Sequence, residues 1–161
     1  MEVFHVYKKN ILKGTPMLKS FWFWLLILFV AIQLLSFNVA AKLPINKSEE
    51  LQAPKEVLSI LKRSCYDCHS SEVKAPWYYK VAPVSWYTQR NVQHAREVIN
   101  FSKWNSYPKE KQLKFLKELP KSIVIRMPDP VYLYMHKESR LTTDEKKLLK
   151  KWARELKEKI K

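Results

Sequence analysis

From Phe21 to Ala41 the chain runs for 21 residues without a charge, and only Gln33, Ser36 and Asn38 interrupt its apolar side chains. At about 1.5 Å per residue such a run matches a hydrocarbon core of about 30 Å, so it predicts a transmembrane helix over 21–41. Phe21, Trp22, Phe23 and Trp24 stand where aromatic rings suit the headgroup boundary. Lys8, Lys9, Lys13 and Lys19 precede the run, whereas Lys42 and Lys47 behind it are accompanied by Glu49 and Glu50. This asymmetry puts residues 1–20 in the cytoplasm and everything after Ala41 outside it, held to the cytoplasmic (inner) membrane by one pass. Two other readings compete. Val39-Ala40-Ala41 has the small residues of a signal-peptidase site, which would release an exported remainder. A buried core helix, apolar all round, would need more surrounding protein than 161 residues supply.

Residues 42–52 read as a polar tether, and residues 53–161 as one domain. Beyond residue 41 there are 26 basic and 14 acidic side chains, a balance of +12. Such a surface suits an acidic protein partner or anionic lipid headgroups, while a nucleic-acid partner fits poorly with export. Gly occurs once, where average usage near 7% would give about eleven. That scarcity excludes glycine-rich phosphate loops and folds built from tight hairpins.

The elements are helical. Pro54 suits the first turn of a helix to about Ser64, with Val57, Leu58 and Leu61 on one face. Pro76 and Pro83 break the next stretch into an aromatic loop, and residues 84–100 continue as a helix carrying Val84, Tyr87, Val92, Ala95 and Ile99 at roughly helical spacing. Pro108 opens a helix through Leu119 with Leu113, Leu116 and Leu119 as its stripe, and Pro120 should restart or kink it. Pro128 and Pro130 force Met127 and Asp129 out of helix. Thr142 and Glu145 form a capping box ahead of an amphipathic helix bearing Leu148, Leu149, Trp152, Leu156 and Ile160. No segment alternates as a strand, so the domain is expected to be all-α.

The only two cysteines lie in Cys65-Tyr66-Asp67-Cys68, with His69 directly after them. C-x-x-C-H is the attachment signature of c-type haem: two thiols add across the porphyrin vinyl groups, and the adjacent imidazole is held beneath the iron. Three rivals share the residues. A structural zinc site needs further ligands at short spacing, which His94 and His136 do not provide. A thioredoxin-like dithiol needs a βαβ setting, and a plain Cys65–Cys68 disulfide leaves His69 without a role.

Met127 is the leading candidate for the sixth iron position, since it has a soft thioether on a loop forced out of helix. His136 and His94 are the alternatives. Tyr66, Trp77, Tyr78, Tyr79, Trp86, Tyr87, Phe101, Trp104, Tyr132 and Tyr134 supply flat apolar area for the core or a porphyrin face. Arg96, Arg126 and Arg140 are candidates to pair with haem propionates.

These residues resemble the bacterial haem-binding domain family, in which a short membrane anchor precedes a small helical domain with one c-type haem motif. The resemblance covers nearly all of 20–160. It rests on SCYDCHSSEVKAPWYYKVAPVSWYTQRNVQHAREVINFSKW and RMPDPVYLYMHKESRLTTDEKKLLKKW, the latter with Arg126 where the family often has Gly. It implies haem attachment at Cys65 and Cys68 and ligation by His69, and it keeps Met127 and His136 both in play.

The expectation is therefore a cytochrome c-like helical domain carrying one covalent haem c, anchored outside the cytoplasm and passing single electrons to an acidic redox protein. Asp67, Glu72 and Glu97 are isolated carboxylates, so an electron carrier is expected rather than an enzyme, with peroxidase-like activity as the alternative. The alternative is a haem-based sensor or ligand-binding module with an exchangeable sixth iron position.

Overall fold

The computed structural model describes residues 20–35 and 43–161. Helix α1, Phe21–Gln33, has 13 residues and buries none of them. No helix among the described residues is long and apolar enough to cross a membrane. Residues 1–19 and 36–41, which complete the expected cytoplasmic segment and span, lie outside the described residues. The Gln33 carboxamide closes a two-way pair with the backbone of Ala82, donating to its carbonyl at 3.2 Å and accepting from its N–H at 2.9 Å.

The rest is helical, with no strand among the described residues. Its α-helices are α2 (Lys55–Ser64), α3 (Tyr66–His69), α4 (Val84–Val98), α5 (Lys109–Ile125), α6 (Tyr132–Met135) and α7 (Thr143–Ile160). Short 3-10 turns connect several of them. The main core gathers Val57, Ile60 and Leu61 of α2, Leu116, Leu119 and Ile123 of α5, and Leu149 and Trp152 of α7 around Phe101 and Trp104. A smaller cluster of Val73, Tyr79 and Val92 stands apart from it.

Three local expectations change. The stretch expected as a polar tether is held onto the domain. Leu51 is only 2% exposed, its N–H bonds the Phe101 carbonyl, and Leu43 pairs with Ser71. Pro120 neither stops nor restarts α5, which runs unbroken across it. A proline inside a helix costs about 3 kcal/mol, which here is offset by burial of Leu116, Leu119 and Ile123 along the α7 contact. The residues grouped on 84–100 divide between faces. Val92, Ala95 and Ile99 are buried, while Val84 and Tyr87 are exposed, and α4 ends before Ile99.

The capping box of α7 is present, with Thr142 Oγ1 accepting from the Glu145 N–H and Glu145 Oε2 accepting from the Thr142 N–H. Glu145 also meets Arg63 of α2 at 2.7 Å. Thr142→Ala is expected to cost about 1 kcal/mol, and Leu149→Ala, at a fully buried position, about 2–5 kcal/mol. Denaturant unfolding of the two variants checks that order.

Candidate haem site

Ser64 ends α2, and Cys65, at φ −132°, ψ −33°, breaks the helix before α3 restarts. The Cys68 and His69 N–H groups both return to the Cys65 carbonyl, at 3.2 and 2.9 Å. Both thiols and the imidazole are thereby carried on one tight turn. All three residues are half-buried and border one cavity of about 1060 Å³. Cys65 packs on the main core and Cys68 on the smaller cluster, so the motif stands where the two meet.

Burial dominates the chemistry of these groups. It pushes the Cys65 thiol up to about 12, with the neighbouring Cys68 adding to the effect. It pushes Cys68 up to about 11, with Asp67 and Asp129 adding to it. Burial also lowers the His69 pKa, so the ring is neutral at neutral pH, the form that binds a metal. Its Nδ1 lies 3.2 Å from the Ile99 carbonyl. A carbonyl only accepts, so Nδ1 carries the hydrogen and Nε2 keeps its lone pair. That carbonyl is available because α4 ends at Val98 and Ile99 is extended.

A buried polar network holds the partners in place. Ser71 N–H donates to Ser102 Oγ at 3.1 Å, Asn100 Nδ2 donates to Ser71 Oγ at 3.0 Å, and Ser102 N–H donates to Asn100 Oδ1 at 2.9 Å. Arg96 Nε donates to the Ser70 carbonyl at 2.9 Å. Sequence reasoning did not single out Ser70, Ser71, Asn100 or Ser102; Asn100 capping the next 3-10 turn was the available signal.

Met127 also borders the cavity and is half-buried. The N–H groups of Arg126 and Met127 both donate to the Ser122 carbonyl, which ends α5 and sends the chain outward. Asp129 Oδ1 then accepts from the Val131 and Tyr132 N–H groups just ahead of α6. The segment is tied back to the motif where Tyr132 Oη donates to Asp67 Oδ2 at 2.7 Å.

The other candidate ligands are placed differently. His94 borders the cavity but its side chain is 78% exposed, with Nδ1 3.6 Å from Glu97. His136 does not line the cavity, and its ring nitrogens meet Tyr78 Oη and Glu138 Oε1. Of the three arginines only Arg126 lines it; Arg96 bonds Ser70, and Arg140 is exposed elsewhere. Lys111 and Lys114 line it too, and sequence reasoning did not single them out. Their signal was helical spacing: Lys111, Lys114, Phe115, Glu118 and Ser122 form a second face of α5 beside the buried one.

Among the predicted aromatics, Trp77, Tyr78, Tyr79, Tyr87, Phe101 and Tyr132 border the cavity. Tyr66 and Trp104 belong to the main core, and Trp86 and Tyr134 are exposed. The cavity reaches the upper end of the roughly 300–1,000 Å³ usual for ligand pockets. It combines a thiol pair, a neutral imidazole with a bare nitrogen, a thioether, aromatic walls, and both cationic and acidic side chains. The buried Ser64 Oγ at its edge has no hydrogen-bond partner. These residues fit a haem.

The sequence profile of the haem-binding domain family matches residues 26–155. The chain belongs to this family. It is a haem-binding domain, and the cavity beside Cys65, Cys68 and His69 is its candidate haem site. No curated protein and no solved structure matches the chain.

With their pKa values raised, the two thiols should be poor nucleophiles. Iodoacetamide labelling at neutral pH is expected to run at least roughly a hundredfold slower than at an exposed thiol of pKa about 8.5. Because burial favours the neutral form, the rate should climb with pH up to about 11 at Cys68 and about 12 at Cys65. Mass spectrometry of timed samples gives the rates.

Proposed function

We propose that this haem-binding domain is a c-type monohaem electron carrier, joined to its haem through Cys65 and Cys68 and held outside the cytoplasm by the N-terminal apolar segment. The observation that carries the reading is the convergence of both thiols, the His69 imidazole and the Met127 thioether on one cavity. Bound haem supplies a one-electron iron couple. His69, its ring held by the Ile99 carbonyl, would hold the iron through Nε2. Met127 would supply its thioether sulfur as a further iron ligand, which would raise the potential relative to a second histidine. His136 is set aside because its nitrogens already have partners.

Arg126, Lys111 and Lys114 are suited to the propionate carboxylates. The aromatic side chains that line the cavity would pack on the haem and exclude water from it. The surplus of basic side chains steers an acidic redox protein to the domain. Its role is electron transfer rather than catalysis, in a protein anchored in the cytoplasmic membrane with its helical, cytochrome c-like domain outside.

Expressed with haem-attachment machinery, the full chain is expected to retain one haem after denaturation, read from its mass and absorbance. The Cys65→Ala, Cys68→Ala double variant should release it. Reduced wild type should be six-coordinate, low-spin and inert to carbon monoxide, and Met127→Ala should bind the gas. His94→Ala and His136→Ala should leave coordination unchanged. Ready carbon monoxide uptake by the wild type would favour a sensor with an exchangeable sixth position. Colourless protein with both thiols open to alkylation would overturn covalent attachment altogether.

A further inference from the structure

From residue 124 to residue 138 the chain buries no residue at all, and Met127 lies inside this stretch. A segment that buries so little gains too little from apolar packing to be fixed by it. Its backbone hydrogen bonds are local: the Met127 N–H returns to Ser122, Leu133 to Asp129, Tyr134 to Val131 and His136 to Tyr132. None of these ties Met127 to the turn that carries the cysteines. Side-chain contacts must do so.

One such contact ends on the motif itself. Tyr132 Oη donates to Asp67 Oδ2 at 2.7 Å in a partly buried setting, a length proper to a hydroxyl bonding a carboxylate. Asp67 stands between the two cysteines, and it borders the same cavity as Cys65, Cys68, His69 and Met127. At the other end, Asp129 Oδ1 accepts from the Val131 and Tyr132 N–H groups at 2.8 and 3.2 Å, so Tyr132 moves with Asp129. Only Pro128 separates Asp129 from Met127. The Tyr132 ring is stacked on His136, with centroids 4.2 Å apart and planes at 14°, which holds the direction of the phenol. The other tie close to Met127, from Tyr87 Oη to Asp129, is longer at 3.3 Å and exposed.

We infer that Asp67 and Tyr132 are positioning residues, whose hydrogen bond clamps the Met127 loop to the Cys65–His69 turn and so sets how often the sixth iron position stands open. The clamp rests on the haem and the Met127 ligation proposed above. Both side chains act through the loop and neither is an iron ligand. Without the hydroxyl or the carboxylate, the loop-away state becomes about ten- to a hundredfold more populated, the usual effect of losing a hydrogen bond to a charged group. While that state is still the minor one, the apparent affinity for any competing iron ligand rises by the same factor.

The test is titration of the full haem-loaded chain, in its oxidised form, with imidazole, which competes with the thioether for the iron and is followed by absorbance. Tyr132→Phe removes only the hydroxyl and should bind imidazole about ten- to a hundredfold more tightly than wild type. Asp67→Ala should do the same, while Asp67→Asn keeps an acceptor oxygen and should fall between. The double variant Tyr132→Phe, Asp67→Ala should bind no more tightly than either single one, because both remove the same bond. A merely structural loss would lower the denaturant midpoint without this pattern in imidazole affinity. The two ends of the bond give independent variants, so one suffices where the other fails to load haem. Unchanged affinity in Tyr132→Phe and Asp67→Ala, or effects that add in the double variant, overturns the clamp alone. If Met127→Ala leaves the spectrum and the imidazole affinity unchanged, the Met127 ligation falls and the clamp with it, and colourless protein overturns the haem reading itself.

Discussion

The hydrogen bond from His69 Nδ1 to the Ile99 carbonyl is the contact on which the site depends. A histidine can bind a metal only through a bare ring nitrogen. The Ile99 carbonyl leaves Nε2 bare by accepting the hydrogen of the other nitrogen. It is free to do so because α4 stops one residue earlier. The Ser71, Asn100 and Ser102 network then holds the chain after His69 against the chain after Ile99. Without that clamp the tautomer and the ring orientation would both be unset.

Around this fixed nitrogen the domain is divided. Most apolar burial is in the core formed by α2, α5 and α7, and a second, small cluster lies under Tyr79. The cavity draws its walls from both. Helix α5 serves two surfaces at once, placing Leu116, Leu119 and Ile123 in the core and Phe115 and Ser122 at the cavity, where Leu119 and Ile123 reach as well. The loop bearing Met127 joins the same wall through polar ties: Tyr132 to Asp67, Tyr87 to Asp129, and Tyr78 to His136. Position there is set by hydrogen bonds more than by burial.

Features carried by neighbouring residues were legible in the chain. The α7 capping box, the helix opened after Pro54 and the break after Ile125 all arise from contacts within a few positions. Features needing a distant partner were misread or missed. Pro120 sits within α5 because the α7 contact outweighs a lost hydrogen bond. Leu51 is buried because Phe101 receives the segment around it. Helical spacing on α4 mixed two faces, since periodicity reports that a helix has sides but not what lies beside each. Arg96 and Arg140 had the right chemistry for a propionate, but the fold turned them elsewhere.

The sequence by itself determined the pairing of two thiols with an imidazole, because Cys65, Cys68 and His69 share one turn and no folding can separate them. It also determined that Met127 would leave the helix, since Pro128 acts on the residue directly before it. Only the tertiary structure decided that Met127 and His94 border the cavity and His136 does not, and it gave His136 to Tyr78 and Glu138 instead. Such choices depend on where remote helices come to rest, and that is set by the summed packing and hydrogen bonding of the whole domain.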